Sequence, residues 1–427
     1  MTHNRVLIIN GQSINKENAT GITMQSLFDT WPSEKLMELN MSPNVDKTWQ
    51  KRIKCICVDD CFPLCKMMIQ KKNLIPSRTA VSSHEPSKAD LVMRRIRRIF
   101  INIADCSPMI ISKNVITSVE EFNPDIIYTL GASVAVMKLC VWFAKHCNVP
   151  IVLHVMDDWP HFSQGYEGIS EAIYKKQLKE QLRKCYEHTY RALAISPQMA
   201  NSYTKETGVS HIPLMNSIDV ESMYSVRPSD SEPYIFTYAG GLHLERWKAL
   251  KDVAESIESA SNITGKKAIL RVYTVPDAIE SIKQEFSKYY VEFHAYVPHD
   301  EIKHVYEVAD ALVHIEISNP LLQGYFRFSI STKIPEYLAS NRPVLFYGPS
   351  DIGLYEYLKE NECSFLASNK VELLHQVINI ITGVEDKKII TNALEVAREN
   401  HDLKHSVITF VNVINKSCEL HDAKQNG

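Results

Sequence analysis

The segment from Asp125 to Met156 constrains the fold more than any other part of the sequence, because it has the form strand, turn, helix, strand. Ile126–Leu130 and Ile151–Val155 are short apolar runs, and the apolar Ser133–His146 between them is long enough for a helix. Gly131 and the lysines of this window interrupt the apolar residues, so neither run is long enough to cross a bilayer. A strand, a helix and a second strand form a βαβ unit with parallel strands. The sequence therefore predicts an α/β fold.

The same alternation resumes after a polar, proline-bearing segment at Ser225–Pro233, starting with the strand-like Tyr234–Ala239. A chain of 427 residues is too long for one ordinary hydrophobic core. We therefore expect two domains, residues 1–224 and 225–403, followed by a helical segment 404–427 that packs back on the first domain.

Composition places the chain among soluble globular proteins and gives it no general attraction to nucleic acid, since the net charge is only −3. The ten cysteines come without a secretory leader, which favours reduced thiols and a cytoplasmic location. Cys55, Cys57, Cys61 and Cys65 are close enough in sequence to suggest zinc. Their spacing matches no common zinc pair, and the first two alternate within an apolar strand, so we expect buried thiols and no metal.

The segment Ser329–Pro349 has the features of an anion site. A hydroxyl-rich loop leads into a short helix with Pro335 in its first turn, where a missing N–H costs nothing. Free backbone amides, Lys333 and Glu336 on one turn suit a nucleotide sugar, with the diphosphate on the amides and the ribose hydroxyls on the acid. An ordinary loop–helix–strand unit with a good N-cap has the same pattern. Ser331 and Thr332 provide the hydroxyls.

A second candidate phosphate site follows the strand Tyr234–Ala239. Gly240 and Gly241 turn the chain away from the strand, and Arg246 and Lys248 lie where a helix begins. Glycine backbone with nearby cations favours phosphate binding, although a glycine pair alone is a weak signal.

Three polar residues follow the strand Ile151–Val155 or end it: His154, Asp157 and Asp158. A histidine and two acids at the carboxyl end of a strand suit recognition of acceptor hydroxyls. A histidine in this position is also commonly structural. Near the amino terminus, Gly11 and Gly21 either let a bound group approach the backbone or form plain turns.

The segment Lys88–Ile103 is a basic amphipathic helix by pattern. Such a helix suits an anionic membrane surface, and it also suits a solvated arginine face on a packed surface helix. Its basic residues are Arg94, Arg95, Arg97 and Arg98.

Three segments together resemble the retaining glycosyltransferases of the GT-B fold, in the large group-1 (family 4) class. They are YAGGLHLERWKAL, VEFHAYVPHDEIKHVYEVADALVHIE and SISTKIPEYLASNRPVLFYGP, in this order. The resemblance implies two Rossmann-like domains facing across a cleft. The first would bind the acceptor and the second a UDP- or GDP-linked sugar, with retention of anomeric configuration, front-side displacement and neither metal nor other cofactor.

The resemblance also implies roles for single residues. Arg246, with Lys248 nearby, would neutralise the diphosphate, and Glu336 would bind the ribose. His154, with Asp157 beside it, would contact sugar hydroxyls or position the acceptor, and the acceptor side would include Gly11, Gly21 and Asp158. The implied donor-binding residues are Gly240, Gly241, Arg246, Lys248, Tyr296 and Val297 (against the base), Ser331, Thr332, Lys333 and Glu336.

Two positions depart from the family pattern. Phe328 stands where relatives commonly have a glutamate, and Gly241 where they commonly have an arginine; Glu316 or Arg327 would have to substitute. With these departures, the sequence resembles a subgroup that acts in bacterial surface-polysaccharide assembly. We therefore expect transfer of a hexose to a saccharide or lipid-linked saccharide, at the inner face of the membrane. Acceptor choice would depend on the loops 59–87 and 158–168. A sugar-nucleotide epimerase, a phosphorylase and a non-catalytic binding module are the alternatives.

Overall fold

The computed structural model describes residues 3–15, 19–42, 46–64, 88–161, 168–226, 232–242, 245–298, 301–317 and 327–426. These residues form two compact units. The first contains the described residues up to Met215 and those from Lys404 onward, and the second contains Asn216–Leu403. The chain thus changes unit earlier than the boundary expected at residue 224. Cys65 and most of the expected acceptor loops lie outside the described residues.

The first unit is built on a seven-stranded sheet in the order β3-β2-β1-β4-β5-β6-β7, with every pair parallel. This is the order of a doubly wound sheet with one added edge strand. The strands are β1 (Val6–Asn10), β2 (Leu36–Asn40), β3 (Lys54–Cys57), β4 (Ile126–Thr129), β5 (Ile151–Val155), β6 (Arg191–Ala194) and β7 (Ser210–Pro213).

Local signals explain where several helices of this unit begin. The helix Val134–Cys147 is capped by Ser133, whose hydroxyl accepts a hydrogen bond from the amide of Val136. The helix Pro197–Thr207 is capped by Ser196 and has Pro197 in its first turn. The helices are α1 (Ala19–Phe28), α2 (Lys47–Arg52), α3 (Lys88–Asp105), α4 (Lys113–Phe122), α5 (Val134–Cys147), α6 (Ile169–Tyr186) and α7 (Pro197–Thr207).

The second unit repeats the same plan with a six-stranded parallel sheet, ordered β10-β9-β8-β11-β12-β13. Its strands are β8 (Tyr234–Ala239), β9 (Ala268–Thr274), β10 (Val291–Ala295), β11 (Ala311–Ile315), β12 (Val344–Tyr347) and β13 (Phe365–Ala367). Its helices are α8 (Val220–Met223), α9 (Arg246–Thr264), α10 (Pro276–Ile282), α11 (Ile302–Glu307), α12 (Ile334–Ala339), α13 (Gly353–Glu360), α14 (Lys370–Thr382) and α15 (Asp386–Asn400).

The last helix, α16 (Leu403–Asn426), packs on the first unit. Its Phe410 is fully buried in a cluster with Phe28, Trp31 and Tyr128. The apolar face of this helix therefore completes the core of a domain whose other elements are nearly two hundred residues away in sequence.

The apolar strand that contains Cys55 and Cys57 is β3, and it is short. The carboxylate of Asp46 accepts hydrogen bonds from the amides of Thr48 and Trp49 and thereby starts α2, so the strand begins only at Lys54. In the described part of the chain, no helix is long and apolar enough to cross a membrane.

Candidate functional site

The carboxyl ends of β8 and β11 and the start of α12 bring two cations and two carboxylates together in the second unit. These are Arg246, Glu316, Lys333 and Glu336. In an open parallel sheet, ligands bind at this edge. Three of the four are donor-site residues expected from the sequence, and the fourth, Glu316, was considered there as a substitute.

Lys333 approaches the backbone of Gly240 so closely that a side chain at 240 would overlap its ammonium group. The ammonium also lies 5.4 Å from the ring centroid of Tyr238. Burial, reinforced by the charge of Arg246, lowers the pKa of Lys333 to about 8. Among the described residues, no carboxylate or carbonyl accepts a hydrogen bond from this ammonium. A desolvated cation of this kind favours an anionic ligand.

Arg246, the first residue of α9, donates a hydrogen bond through Nη2 to Oε2 of Glu316 at 3.2 Å. The other carboxylate oxygen, Oε1, lies 3.1 Å from Nε2 of His314. Burial lowers the pKa of His314, so its neutral ring is the donor. Burial opposes ionisation of Glu316, yet the hydrogen bond from His314 and the charge of Arg246 hold its pKa below the ordinary value.

Glu336 is buried within α12, and one of its oxygens accepts a hydrogen bond from the hydroxyl of Tyr306 at 2.8 Å. The helix has only six residues, so its dipole adds little. The side chains, more than the helix end, therefore set the charge of this edge.

The other expected donor residues differ in their exposure to solvent. Lys248 is exposed and pairs with Glu245, and Tyr296 is 61% exposed after β10 with Val297 partly buried beside it. Ser331 is half-buried and Thr332 is exposed in the loop before α12. The carbonyl of Gly241 accepts a hydrogen bond from Tyr238 at 2.8 Å.

Phe328, at the position where the resemblance leads us to expect a glutamate, is a core residue. Its ring is 7% exposed and is covered by the guanidinium of Arg327 at 4.6 Å from the centroid. Its Cα lies against Gly353, whose amide donates to the carbonyl of Arg327 at 2.7 Å. The ring therefore fills space inside the unit.

His154 is fully buried in the first unit, where its Nδ1 lies 2.7 Å from the hydroxyl of Tyr128. Burial lowers the pKa of His154 to about 3, so the ring is neutral. The expected contact with a sugar requires a ring that a substrate can reach. The geometry gives His154 a structural place in β5 instead, beside the aromatic cluster that holds Phe410.

Asp158 is also buried. Its Oδ1 accepts a hydrogen bond from the hydroxyl of Tyr203 and pairs with Nδ1 of His161, both at 2.7 Å. The hydrogen bond to Asp158 raises the pKa of His161. Asp158 therefore anchors the start of the loop that follows β5, and its expected place on the acceptor side stays a prediction. Asp157, next to it, is half-buried.

The two amino-terminal glycines differ. A Cβ on Gly21 would overlap the carbonyl of Asn15, whereas one on Gly11 would make only an ordinary contact with Val136 at 3.8 Å. Gly21 therefore permits a close backbone approach within the protein, and Gly11 has no steric requirement to be glycine.

The structure adds a buried acid that sequence reasoning missed. Glu38 on β2 accepts hydrogen bonds from the hydroxyl of Ser13 at 2.7 Å and the amide of Ile14 at 2.9 Å. The thiol of Cys55 donates to the same carboxylate at 3.3 Å. Burial raises the pKa of Glu38 and of Cys55. Cys55 and Cys57 are only half-buried, whereas Cys61 is buried as expected. The described residues contain no cluster of His, Cys, Asp or Glu suited to a metal.

Helix α3 exposes most of its surface, including Arg94, Arg95 and Arg97. Arg98 instead pairs with the buried Glu171 at 3.3 Å. The exposed apolar residues of this helix are Val92, Met93, Ile96, Ile99, Phe100, Ile101 and Ile103.

The fold is the GT-B fold: two doubly wound parallel-sheet units of the kind found in glycosyltransferases. Three solved structures illustrate the similarity. The lipopolysaccharide outer core galactosyltransferase WaaB matches with a TM-score of 0.58 at 15% identity, covering 96% of this chain and 99% of that one. A glycosyltransferase from Rickettsia africae matches with a TM-score of 0.60 at 11% identity, covering 97% of this chain and 99% of that one. A mutant of TarM from S. aureus, in complex with fondaparinux, alpha-GlcNAc-glycerol and UDP, matches with a TM-score of 0.56 at 13% identity. The match covers 97% of this chain and 100% of that one.

No protein-family model matches the sequence, and no curated protein matches it significantly. The structural similarities, at these low identities, establish the fold. The expectation of a GT-B architecture is confirmed.

Proposed function

We propose that this protein is a glycosyltransferase that binds the diphosphate of a nucleotide sugar at the carboxyl edge of the second sheet. The observation that carries the proposal is the Lys333 ammonium, held against Gly240 beside Arg246 and without a hydrogen-bond acceptor among the described residues. A diphosphate supplies the negative oxygens that the Lys333 ammonium lacks, and it can share Arg246 with Glu316.

The same residues give the site its chemistry. Breaking the bond between sugar and diphosphate puts negative charge on the leaving oxygen, and Lys333 and Arg246 stabilise that charge as it develops. By resemblance to the retaining enzymes of this fold, we favour front-side displacement with retention, in which the leaving phosphate takes the proton of the acceptor hydroxyl.

The donor we propose is a UDP- or GDP-linked hexose. Glu336 would accept hydrogen bonds from the ribose hydroxyls, and the exposed ring of Tyr296, with Val297, would lie against the base. The presence of UDP in the TarM complex supports this class of donor. The similarity to WaaB, a lipopolysaccharide outer core galactosyltransferase, and to WaaG, a glycosyltransferase involved in lipopolysaccharide biosynthesis, supports a saccharide or lipid-linked saccharide acceptor and a role in surface-polysaccharide assembly.

The proposal is tested with a panel of UDP- and GDP-sugars, measuring binding by calorimetry and transfer by product analysis. Lys333→Ala should weaken nucleotide binding by tenfold or more, because a charge-assisted hydrogen bond is lost. Lys251→Ala, which removes an exposed lysine paired with Glu285, is the matched control and should change nothing. If no nucleotide sugar binds the wild-type chain, the proposal fails. Binding without transfer to any acceptor would indicate a binding module instead.

We further propose that α3 attaches the protein to an anionic bilayer surface, where a lipid-linked acceptor would be found. The support is the combination of Arg94, Arg95 and Arg97 with exposed apolar side chains such as Phe100 on one helix.

Flotation with vesicles of neutral and of anionic lipid tests this attachment. The triple change of Arg94, Arg95 and Arg97 to Gln should abolish binding to anionic vesicles, at about 1 kcal/mol for each arginine. Arg183→Gln, on the exposed face of α6, is the control. Equal flotation of the triple variant and the wild type would exclude α3 as the attachment.

A further inference from the structure

Glu316 lies in the proposed donor site and accepts a hydrogen bond from Arg246, one of the two cations there. We propose that Glu316 is a built-in counter-ion, which neutralises Arg246 while the site is empty and competes with the diphosphate for it when a ligand binds. This inference rests on the proposed function, since it concerns the same site.

The contacts around Glu316 show that it is fixed in place. Its side chain is 8% exposed, that of Arg246 17% and that of His314 6%. His314 lies on β11, fully inside the unit, with its ring stacked on Phe346 at 5.9 Å. Its neutral ring donates to one carboxylate oxygen while Arg246 donates to the other. The backbone and Cβ of Glu316 also lie against Gly348, at 3.1 and 3.0 Å from where a side chain there would begin. The carboxylate therefore has little freedom to move away.

The charges of the site lead to the same inference. Arg246 and protonated Lys333 carry two positive charges, and Glu316 and Glu336 carry two negative ones. Without Glu316, two cations would be held close together at a partly buried edge, at a considerable electrostatic cost. The carboxylate offsets that repulsion in the empty protein.

A diphosphate bound at this site lies close to the carboxylate and must share Arg246 with it. At a separation of about 5 Å and an effective dielectric constant of about 20, the repulsion between two unit charges amounts to more than one power of ten in affinity. Glu316 therefore weakens binding of the nucleoside diphosphate, which is the product of transfer, and hastens its release.

The test compares the full-length wild-type chain with Glu316→Gln. The amide oxygen of glutamine can still accept from Arg246, and the neutral ring of His314 can exchange its tautomer to accept from the amide nitrogen. The variant thus removes the charge and keeps the shape. Calorimetry with inorganic pyrophosphate and with UDP should show binding at least about tenfold tighter in the variant. Glu285→Gln, which removes an exposed carboxylate of the same unit, should leave binding unchanged.

Two further measurements separate the possible outcomes. His314→Gln keeps the charge of Glu316 and loses the imidazole, so it should bind pyrophosphate no more tightly than the wild type. The melting temperature of unliganded Glu316→Gln should fall and should be restored by pyrophosphate, because the ligand replaces the missing counter-ion.

Binding that is equal or weaker in a folded Glu316→Gln overturns the inference. If neither protein binds pyrophosphate or UDP, the donor site itself is wrong and the proposed function fails with the inference. If pyrophosphate binding tightens as expected but no sugar is transferred, the counter-ion role stands without the transferase activity. Where transfer occurs, the variant should show lower KM and lower kcat together, a combination that a loss of folding would not produce.

Discussion

Lys333 illustrates at the scale of one residue how the protein makes a charge available to a ligand. A lysine in water needs no partner, but this ammonium lies over Gly240 and beside Arg246, where burial lowers its pKa to about 8. The cost of that desolvation is recovered only when an anion arrives. A side chain at position 240 would overlap this ammonium and would have to displace it.

The lowered pKa makes anion binding dependent on pH. Below pH 8 Lys333 is protonated and binds the anion, and as pH rises through about 8 it loses its proton and its affinity. In the Lys333→Arg variant the charge persists, since arginine does not deprotonate in this range. The dissociation constant for UDP is measured for the wild type and for Lys333→Arg from pH 6.5 to 9.5. The ratio of the wild-type constant to the variant constant should therefore increase above pH 8. The ligand ionises identically in both experiments, so a constant ratio would contradict the prediction.

The site was only partly predictable from single residues. Arg246, Lys333 and Glu336 were identified because cations and an acid next to glycine turns carry a local signal. The link from His314 to Glu316 to Arg246 joins residues up to seventy positions apart, and no local pattern records it. The same applies to Arg342, whose buried guanidinium donates to backbone carbonyls of Ala309, Glu307 and the 225–226 segment.

At the scale of elements, the helix α16 shows how a distant segment completes a core. Phe410 lies 5.0 Å from Phe28 and 5.4 Å from Tyr128, ring centroid to centroid, with edge-to-face geometry. The sequence predicted a helix here from its periodicity, but it did not identify which side chain joins the aromatic cluster.

Phe410→Ala should lower the free energy of unfolding of the first unit by about 3 to 5 kcal/mol, because it leaves a cavity in a packed aromatic cluster. Ile408→Ala, on the exposed side of the same helix, should cost less than 1 kcal/mol. Urea denaturation followed by circular dichroism measures both. Equal effects of the two substitutions would mean that α16 does not belong to this core.

The strand β2 shows why some elements were missed. Leu36–Asn40 is short, and its apolar residues are interrupted by Glu38, which a pattern-based analysis assigns to the surface. In the structure this acid is buried, and Ser13, Ile14 and Cys55 satisfy its oxygens. Its place is set by partners from two other segments. The edge strand β7 ends in Pro213 and β13 has three residues, so both gave weak signals as well.

At the scale of the whole molecule, the described residues of the first unit come from two separate parts of the chain, whereas those of the second unit come from one. The chain leaves the first unit after Met215 and returns to it at Lys404. The sequence indicated two domains through its length and its second series of strands and helices. The polar segment after residue 225, which suggested the boundary, instead belongs to the second unit, where Arg342 donates to the carbonyls of Ser225 and Val226. A boundary set by such contacts cannot be inferred from local composition.

This division predicts a difference between the two halves when each is produced alone. All four charged residues of the donor site, with His314 and Tyr238, lie within Asn216–Leu403, so the fragment 216–403 should fold and bind pyrophosphate within a few-fold of the full-length affinity. The fragment 1–215 lacks Phe410 and the rest of α16, and it should be insoluble or unfolded until a peptide of residues 404–427 is supplied, since the aromatic cluster is otherwise exposed. Calorimetry measures the first expectation and circular dichroism with added peptide the second.

A much weaker affinity in a folded 216–403 fragment would show that the first unit supplies part of the anion site. A folded 1–215 fragment without the peptide would contradict the role of α16.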